Sequence, residues 1–122
     1  MGMTYVVATV RAAGAGDEEQ RVRLIVDSGA IYSVLPQGVW QSLGLTPSAT
    51  EEFVLADGTT IRRGISECRF ELLGRSATSP VILGEAGDEA ILGAVTLETL
   101  RLMLHPLTRE LLPARLSLAQ LA

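Results

Sequence analysis

One short segment of this sequence, VRLIVDSGA over residues 22–30, places a carboxylate and a hydroxyl directly after an apolar run. Asp and Ser usually occupy turns, where they bond their own backbone in water. Here Asp27 and Ser28 are flanked by apolar residues on both sides, and an ionised carboxylate in such company loses hydration. A carboxylate of this kind can serve as a general acid or base, and the hydroxyl beside it can serve as a nucleophile. The segment is therefore the first candidate for a chemical site.

Two alternatives compete with a carboxylate-based site. A serine nucleophile is disfavoured, because the only histidine, His105, directly precedes Pro106 and no Gly-x-Ser-x-Gly surrounds Ser28. A plain strand-ending turn also explains Asp27-Ser28-Gly29, since the tripeptide recurs by chance. Taken alone the tripeptide favours the turn, and only the other elements of the chain can reverse that preference.

Composition limits the classes of function. The chain has 122 residues, and we expect residues 1–122 to form a single domain with its own core. Ten basic residues, all arginine, against 14 acidic ones give a net charge of −4, so no nucleic-acid partner is expected. No apolar run approaches the roughly 18 residues of a membrane span, and the N-terminal residues do not resemble a signal peptide. We therefore expect a soluble, cytoplasmic protein with no membrane contact.

Apolar alternation and turn signals predict many short strands and two short helices. The strands are expected over residues 4–10, 20–26, 31–35, 66–72, 80–83 and 107–112. A turn over residues 14–17 would join the first two strands into a hairpin that ends at Asp27. One helix is expected between Pro36 and Gly44, and another over residues 96–104. This pattern predicts an all-β barrel or sandwich.

A second hairpin is predicted around Asp57-Gly58, which lies between the strand-like segments FVL and TTI. Asp-Gly in such flanks is among the strongest hairpin signals, because both central positions of a type I′ turn need a positive φ. We therefore expect a hairpin over residues 52–63 with a type I′ turn at Asp57-Gly58.

In this order the segments resemble the retropepsin-like (retroviral-type) aspartic proteases, especially their cellular and bacterial relatives. The segment LIVDSGA at residues 24–30 resembles the catalytic Asp-Thr/Ser-Gly-Ala loop of that family. Residues 53–64 fall where the family has its flap hairpin. Ile-Leu-Gly at residues 91–93, followed by a short helix, resembles the segment that packs beneath the catalytic loop. The resemblance covers roughly residues 4–113 and favours the protease interpretation of the Asp-Ser-Gly segment over a plain turn.

Two positions depart from the family pattern. Ser28 stands where Thr is commoner, which keeps the hydroxyl and removes a methyl group. The flap tip reads Asp57-Gly58 in place of a glycine-rich tip.

The resemblance implies a fold, an activity and a set of site residues. The fold is a closed, mostly antiparallel β barrel with one or two short helices, assembled as a homodimer. The activity is that of an aspartic endopeptidase on an extended peptide or protein substrate, with no cofactor and no metal ion. The implied roles are catalysis for Asp27, Ser28 and Gly29, substrate binding by the flap for Ala56, Asp57, Gly58 and Thr59, and support of the catalytic loop for Ala30, Ile91, Leu92 and Gly93.

Peptide hydrolysis without a metal or a covalent nucleophile calls for two carboxylates. Two such groups a few Å apart share one proton, because like charges that close cannot both ionise; aspartic proteases are the established example of this pairing. The chain has four aspartates, and Asp17, Asp57 and Asp88 all lack the flanking pattern of Asp27. The second carboxylate is therefore expected from a second copy of the chain, related by two-fold symmetry.

Other interpretations stay open. The same fold would also suit a non-hydrolytic peptide-binding or dimerisation module, or a precursor that becomes active only after trimming or within a larger assembly. By the family resemblance, the segments expected to hold the dimer together are residues 4–10 and the apolar tail over residues 111–122. The leucines of the tail are expected to be buried against the partner chain, or alternatively the tail folds back on its own barrel. The acidic loop over residues 85–89 lacks the spacing of a known calcium loop, so a solvated loop is favoured there over a metal site.

Overall fold

The computed structural model describes residues 2–14 and 18–114 of the chain. These ranges contain nine β-strands and two short α-helices. In chain order the elements are β1 (Tyr5–Ala12), β2 (Glu19–Val26), β3 (Ser33–Leu35), α1 (Gln37–Ser42), β4 (Ala49–Val54), β5 (Thr60–Leu72), β6 (Arg75–Leu83), β7 (Ile91–Leu92), α2 (Ala94–Thr99), β8 (Leu102–Leu104) and β9 (Leu111–Pro113).

Seven of the strands form one sheet, in which the pairings between neighbouring strands form a closed ring. The order is β1-β2-β7-β3-β6-β5-β4, and β1 also pairs with β5. Six strands are thereby linked in a ring of pairings, with β4 attached to the outside of β5. In this sheet the β2–β7 and β3–β6 pairings are parallel and the other pairings are antiparallel. Strands β8 and β9 form a separate antiparallel pair. The mostly-β class predicted from the sequence is confirmed.

The predicted first hairpin is present as β1 and β2, which pair from Tyr5↔Ile25 to Arg11↔Glu19. Side chains of β2 alternate between core and solvent, with Val22 and Leu24 buried and Arg23 exposed, as the sequence pattern predicts. The turn expected over residues 14–17 falls largely on residues 15–17, which lie outside the described residues.

The longest hairpin joins β5 to β6 over nine paired positions. Its turn uses Leu73 and Gly74, both with positive φ, at 53° and 75°. The sequence prediction of a strand that begins at Pro80 is wrong, because β6 begins five residues earlier, at Arg75. Pro80 lies one residue before β6 starts to pair with β3 at Val81, so the missing proline N–H falls outside that ladder.

Both helices are short. Helix α1 follows Pro36 and is succeeded by Gly44 at φ +70°, as predicted. The prediction of a helix over residues 96–104 is wrong in its bounds, since α2 covers Ala94–Thr99 and the chain then turns at Arg101, whose φ is +59°. Of the strand expected over residues 107–112, only residues 111–112 lie in a strand, β9. The tail expected to pack on a partner chain or on its own barrel lies outside the described residues from position 115 onward. No helix within the described residues has the length and apolar character needed to cross a membrane.

The core is continuous around the inside of the ring. Its largest fully buried apolar side chains come from β1, β2, β3, β5, β6, β7 and the residue after α2, and they are Val10, Leu24, Leu35, Phe70, Val81, Leu92 and Leu100. The strand predicted over residues 66–72 lies within β5, and its alternate side chains Ser66, Cys68, Phe70 and Leu72 are all buried.

Cys68 provides a probe of this core, because burial raises the pKa of its thiol to about 12. An unfolded thiol has a pKa of about 8.5, so burial of the neutral thiol stabilises the fold below that pH. This contribution is lost as the pH rises from about 8.5 towards about 12. We expect iodoacetamide at pH 8 to alkylate the folded protein about 100-fold more slowly than the urea-unfolded protein. We also expect the urea midpoint to fall above pH 9.

Cys68→Ala is the matched control for the alkaline loss of stability, since it removes the ionisation and keeps the strand. Its urea midpoint should fall less above pH 9 than that of the parent protein. Equal alkylation rates in the folded and unfolded states would contradict the burial of the thiol.

Candidate active site

Asp27 directly follows β2 and opens the loop that leads to β3. Its N–H donates to the Leu92 carbonyl at 3.0 Å, which anchors the start of the loop on β7. The Gly29 N–H donates to Asp27 Oδ1 at 2.9 Å, and the Ala30 N–H donates to the Asp27 carbonyl at 3.1 Å. The loop therefore holds the carboxylate in one orientation with its own backbone.

A glycine at position 29 keeps this arrangement open. A Cβ atom on Gly29 would lie only 3.2 Å from Asp27 Oδ1, against the carboxylate that the Gly29 N–H binds. A side chain here would require the carboxylate to shift by a few tenths of an ångström.

The Asp27 side chain is exposed in the single chain, and so are Ser28 and Gly29. The expectation that apolar neighbours would desolvate Asp27 is therefore wrong for the chain by itself. The preceding residues of β2 point into the core, but the chain leaves the sheet at Val26 and carries the loop outward. Ile31, an apolar neighbour on the other side, is itself 68% exposed.

Strand β7 and the start of α2 lie directly against this loop. β7 is inserted between β2 and β3, with Ile91 opposite both Ile25 and Val34. The Ala94 N–H donates to the Ala30 carbonyl at 2.7 Å, and the Val95 N–H donates to the Ile31 carbonyl at 3.0 Å. The first turn of α2 thus uses N–H groups that have no partner within the helix to hold the end of the loop.

Gly93 is the point of closest approach between these segments. A Cβ atom there would lie 2.6 Å from both the carbonyl carbon and the carbonyl oxygen of Tyr32, and 3.0 Å from the Ala30 oxygen. The structure therefore brings the predicted supporting residues Ala30, Leu92 and Gly93 together around the Asp27 loop, and Gly93 is the only residue type that fits its position.

The turn between β4 and β5 differs from the predicted type I′. The Gly58 N–H donates to the Leu55 carbonyl at 2.9 Å, and the Leu55 N–H donates to the Thr59 carbonyl at 2.8 Å. Only Gly58 has a positive φ, of 86°. The loop is therefore a three-residue connection, a type I turn completed by a left-handed glycine, and Asp57 keeps an ordinary φ.

Asp57 organises this turn from its exposed side chain. Its Oδ1 atom accepts the Thr59 hydroxyl at 2.6 Å and the Thr59 N–H at 3.0 Å. Both bonds lower the pKa of the Asp57 carboxyl below its usual value, and the bond from the Thr59 hydroxyl has the larger effect. The turn therefore keeps its shape while Asp57 stays ionised into the acidic range.

A groove of about 510 Å³ separates the Asp27 loop from the β4–β5 hairpin. Its walls are mostly apolar and include Ile31, Val34, Phe53, Leu55, Ile61 and Ile82. The residues that follow Asp27 form one wall and the hairpin strands form the other. The four predicted hairpin-tip residues do not line the groove in the single chain; they are Ala56, Asp57, Gly58 and Thr59.

Comparison with known proteins identifies the family. The family model described as Aspartyl protease matches residues 8–96, a stretch that runs from β1 into α2 and includes the Asp27 loop and the β4–β5 hairpin. The chain belongs to the aspartyl protease family. No curated protein shows a significant match to the sequence.

A solved structure extends the likeness to nearly the whole chain. The retroviral protease of EIAV, solved in complex with the inhibitor HBY-793, superimposes with a TM-score of 0.59. It is 16% identical in sequence, and the match covers 96% of this chain and 94% of that one. At this identity the likeness shows the fold, which is that of the retroviral proteases. The resemblance to the retropepsin-like aspartic proteases predicted from the sequence is confirmed.

The sequence pattern did not predict one charged cluster, which is formed by Arg63, Glu85 and Asp88. Arg63 on β5 donates from Nη2 to Glu85 at 2.7 Å, and its Nε lies 3.6 Å from Asp88 Oδ2. The Arg63 side chain is 16% exposed, against 69% for Arg62. The two neighbouring arginines differ in exposure because alternate residues of a strand face opposite sides.

The loop over residues 85–89 is largely exposed, as predicted, and only Asp88 in it is half-buried. Asp88 Oδ2 accepts the Glu85 N–H at 2.7 Å and, together with Glu85, pairs with Arg63 at the edge of the groove. Within residues 2–14 and 18–114, no three side chains of His, Cys, Asp or Glu lie close enough together to hold a metal ion.

Proposed function

We propose that the protein is an aspartic endopeptidase in which two Asp27 carboxylates, one from each subunit of a homodimer, activate a water molecule. The observation that carries the proposal is the Asp27 loop itself. It presents an exposed carboxylate, fixed by the Gly29 N–H, on a chain of the aspartyl protease family.

The second carboxylate is assigned to a second copy of the chain because the other described aspartates are bonded elsewhere. Asp57 accepts two bonds from Thr59 at the tip of the β4–β5 hairpin. Asp88 accepts the Glu85 N–H beside Arg63. Asp17 lies outside the described residues, and its sequence does not resemble that of the Asp27 loop. Two-fold symmetry supplies a carboxylate in an identical loop.

In the proposed dyad one proton is shared between the two carboxylates. The ionised carboxylate accepts a proton from the attacking water, and the protonated one donates a hydrogen bond to the carbonyl oxygen of the peptide. The exposure of Asp27, Ser28 and Ile31 in the single chain supports this proposal, since a dimer partner and a bound peptide would cover that face. Ser28, by family resemblance, would bond across the two-fold axis.

The groove indicates the kind of substrate. Its apolar walls suit an extended peptide with apolar side chains, and the β4–β5 hairpin would act as the flap that closes over it. In this proposal Ala56, Asp57, Gly58 and Thr59 reach the peptide only when the flap of a dimer closes, which is why they do not line the groove of one chain.

Activity should depend on dimer concentration. Below the dimer dissociation constant, the initial rate on a fluorogenic peptide with apolar residues should rise with about the second power of chain concentration, and above it with about the first power. Sedimentation velocity on the same samples gives the dissociation constant. Two chains joined by a flexible linker are the matched control, and their rate should stay first-order throughout.

A protein that is monomeric by sedimentation and fully active would contradict the shared dyad. A dimer that binds the peptide and leaves it uncut would instead assign the fold a peptide-binding role.

A further inference from the structure

Three buried hydroxyl groups form a network next to the segment that supports the Asp27 loop. Ser33 on β3, Ser79 on β6 and Thr96 on α2 are each 0% exposed. Thr96 Oγ1 lies 2.6 Å from Ser33 Oγ and 2.8 Å from Ser79 Oγ. Thr96 is therefore the central member, and it links three separate elements of the fold.

Hydrogen-bonding capacity fixes the direction of this network. Ser33 Oγ accepts the Gly93 N–H at 2.9 Å, and Ser79 Oγ donates to the Pro80 carbonyl at 3.3 Å. Each hydroxyl donates one hydrogen. A chain of bonds from Gly93 N–H through Ser33, Thr96 and Ser79 to the Pro80 carbonyl gives every donor an acceptor. In the opposite order the Ser33 proton has no acceptor within residues 2–14 and 18–114, and an unpaired buried hydroxyl is unfavourable.

The network holds the same segment that holds the Asp27 loop. Residues 92–95 contact the loop at three points: the Leu92 carbonyl accepts the Asp27 N–H at 3.0 Å, and the N–H groups of Ala94 and Val95 bind the two loop carbonyls at 2.7 and 3.0 Å. Gly93 lies in the middle of this segment and Thr96 follows it. Any displacement of the segment relative to β3 and β6 would move the Asp27 backbone with it.

We infer that Thr96 is a positioning residue for Asp27, acting through the buried hydroxyl network. Its hydroxyl bonds β3 and β6 and so fixes the position of residues 92–95, which bind the Asp27 loop, relative to these two strands. The expected effect on reaction rate rests on the proposed aspartic-protease function. In that function two carboxylates share a proton, and such a pair tolerates little displacement. A misplacement of about 1 Å in a catalytic site costs about 100-fold in rate.

The test compares hydroxyl deletions at two positions of the same helix. Thr96→Val keeps the shape of the side chain and removes the central hydroxyl. Thr99→Val is the matched control, because the Thr99 hydroxyl bonds only the Val95 carbonyl within the helix, at 2.6 Å. We expect Thr96→Val to lower kcat about 10- to 100-fold with KM within about twofold. Thr96→Ser, which restores the hydroxyl, should recover kcat to within about threefold, and Thr99→Val should behave like the parent protein.

Amide hydrogen exchange gives a second readout that needs no activity. In Thr96→Val, the exchange rates of the Asp27 and Ala94 amides should rise about tenfold relative to the exchange rate of the Phe70 amide, which lies in the core. Were the hydroxyl merely a contributor to global stability, all three amides would quicken together, and that result would overturn the inference. If the parent protein cleaves no peptide, the proposed function fails while the exchange pattern still decides the role of Thr96.

If Thr96→Val folds and its kcat equals that of the parent protein, the inference is also overturned. Should Thr96→Val fail to fold, Ser79→Ala removes only the last hydroxyl of the network. It should lower kcat about three- to tenfold with the same exchange pattern, and parental values of both would count against the inference.

Discussion

Asp27→Asn should fold and dimerise but hydrolyse peptides at least about 1,000-fold more slowly than the parent protein. The amide has nearly the shape of the carboxylate, and its oxygen can still accept the Gly29 N–H that now binds Oδ1 at 2.9 Å. It cannot, however, take a proton from water or share one with a partner. The measurement is the rate of cleavage of a fluorogenic peptide by purified protein whose fold is verified by circular dichroism.

Glu67→Gln is the matched control for this loss, because it removes one negative charge from an exposed position of β5. It should cleave at the parental rate. A rate near that of the parent in Asp27→Asn would refute the assignment of Asp27 as the catalytic carboxylate.

Mixed dimers sharpen the same test. When the parent and Asp27→Asn chains are mixed in equal amounts and allowed to exchange, about one quarter of the dimers retain two aspartates. Activity per parent chain should then fall to about half, and it should fall further with an excess of the variant. Activity that follows the parent concentration alone would show that each chain works independently.

Gly93→Ala should lower the free energy of unfolding by at least about 3 kcal/mol, or prevent folding. The added Cβ would meet the Tyr32 carbonyl carbon and oxygen at 2.6 Å and the Ala30 oxygen at 3.0 Å. All three are backbone atoms, so no side-chain rotation can make room for the methyl group. Urea denaturation followed by far-ultraviolet circular dichroism measures the change.

Gly38→Ala offers the matched control, since a Cβ there meets nothing within 4 Å on the exposed side of α1. Alanine suits a helix better than glycine, so this variant should be more stable by up to about 1 kcal/mol. Equal unfolding curves for the two alanine variants would contradict the close packing of β7 against the loop.

Local signals predicted much of the fold and the candidate site. The alternation in β2 located the strand that directly precedes Asp27, and Asp57-Gly58 located the β4–β5 hairpin. Pro36 marked the start of α1. In each case the residues that give the signal also make the local structure, so neighbours in sequence were sufficient.

Positions decided by distant contacts could not be predicted in the same way. Leu73 and Arg101 adopt positive φ without being glycine, and these turns set the start of β6 and the end of α2. Ser33, Ser79 and Thr96 are ordinary surface residue types whose burial depends on partners up to 63 positions away. Arg63 became part of the groove edge only because β5 presents it to the loop that carries Asp88.

The position of β7 in the ring has a consequence for how the chain folds. β7 has only two residues, and its partners in β2 and β3 lie roughly 60 residues earlier in the sequence. The hairpins β1–β2 and β5–β6 are local and form on a time scale of about microseconds, whereas pairing across so long a separation is slow. We therefore expect β7 to enter last, between strands already formed. Because the Leu92 carbonyl and the first turn of α2 shape the Asp27 loop, a newly made chain acquires an ordered carboxylate only as its folding is completed.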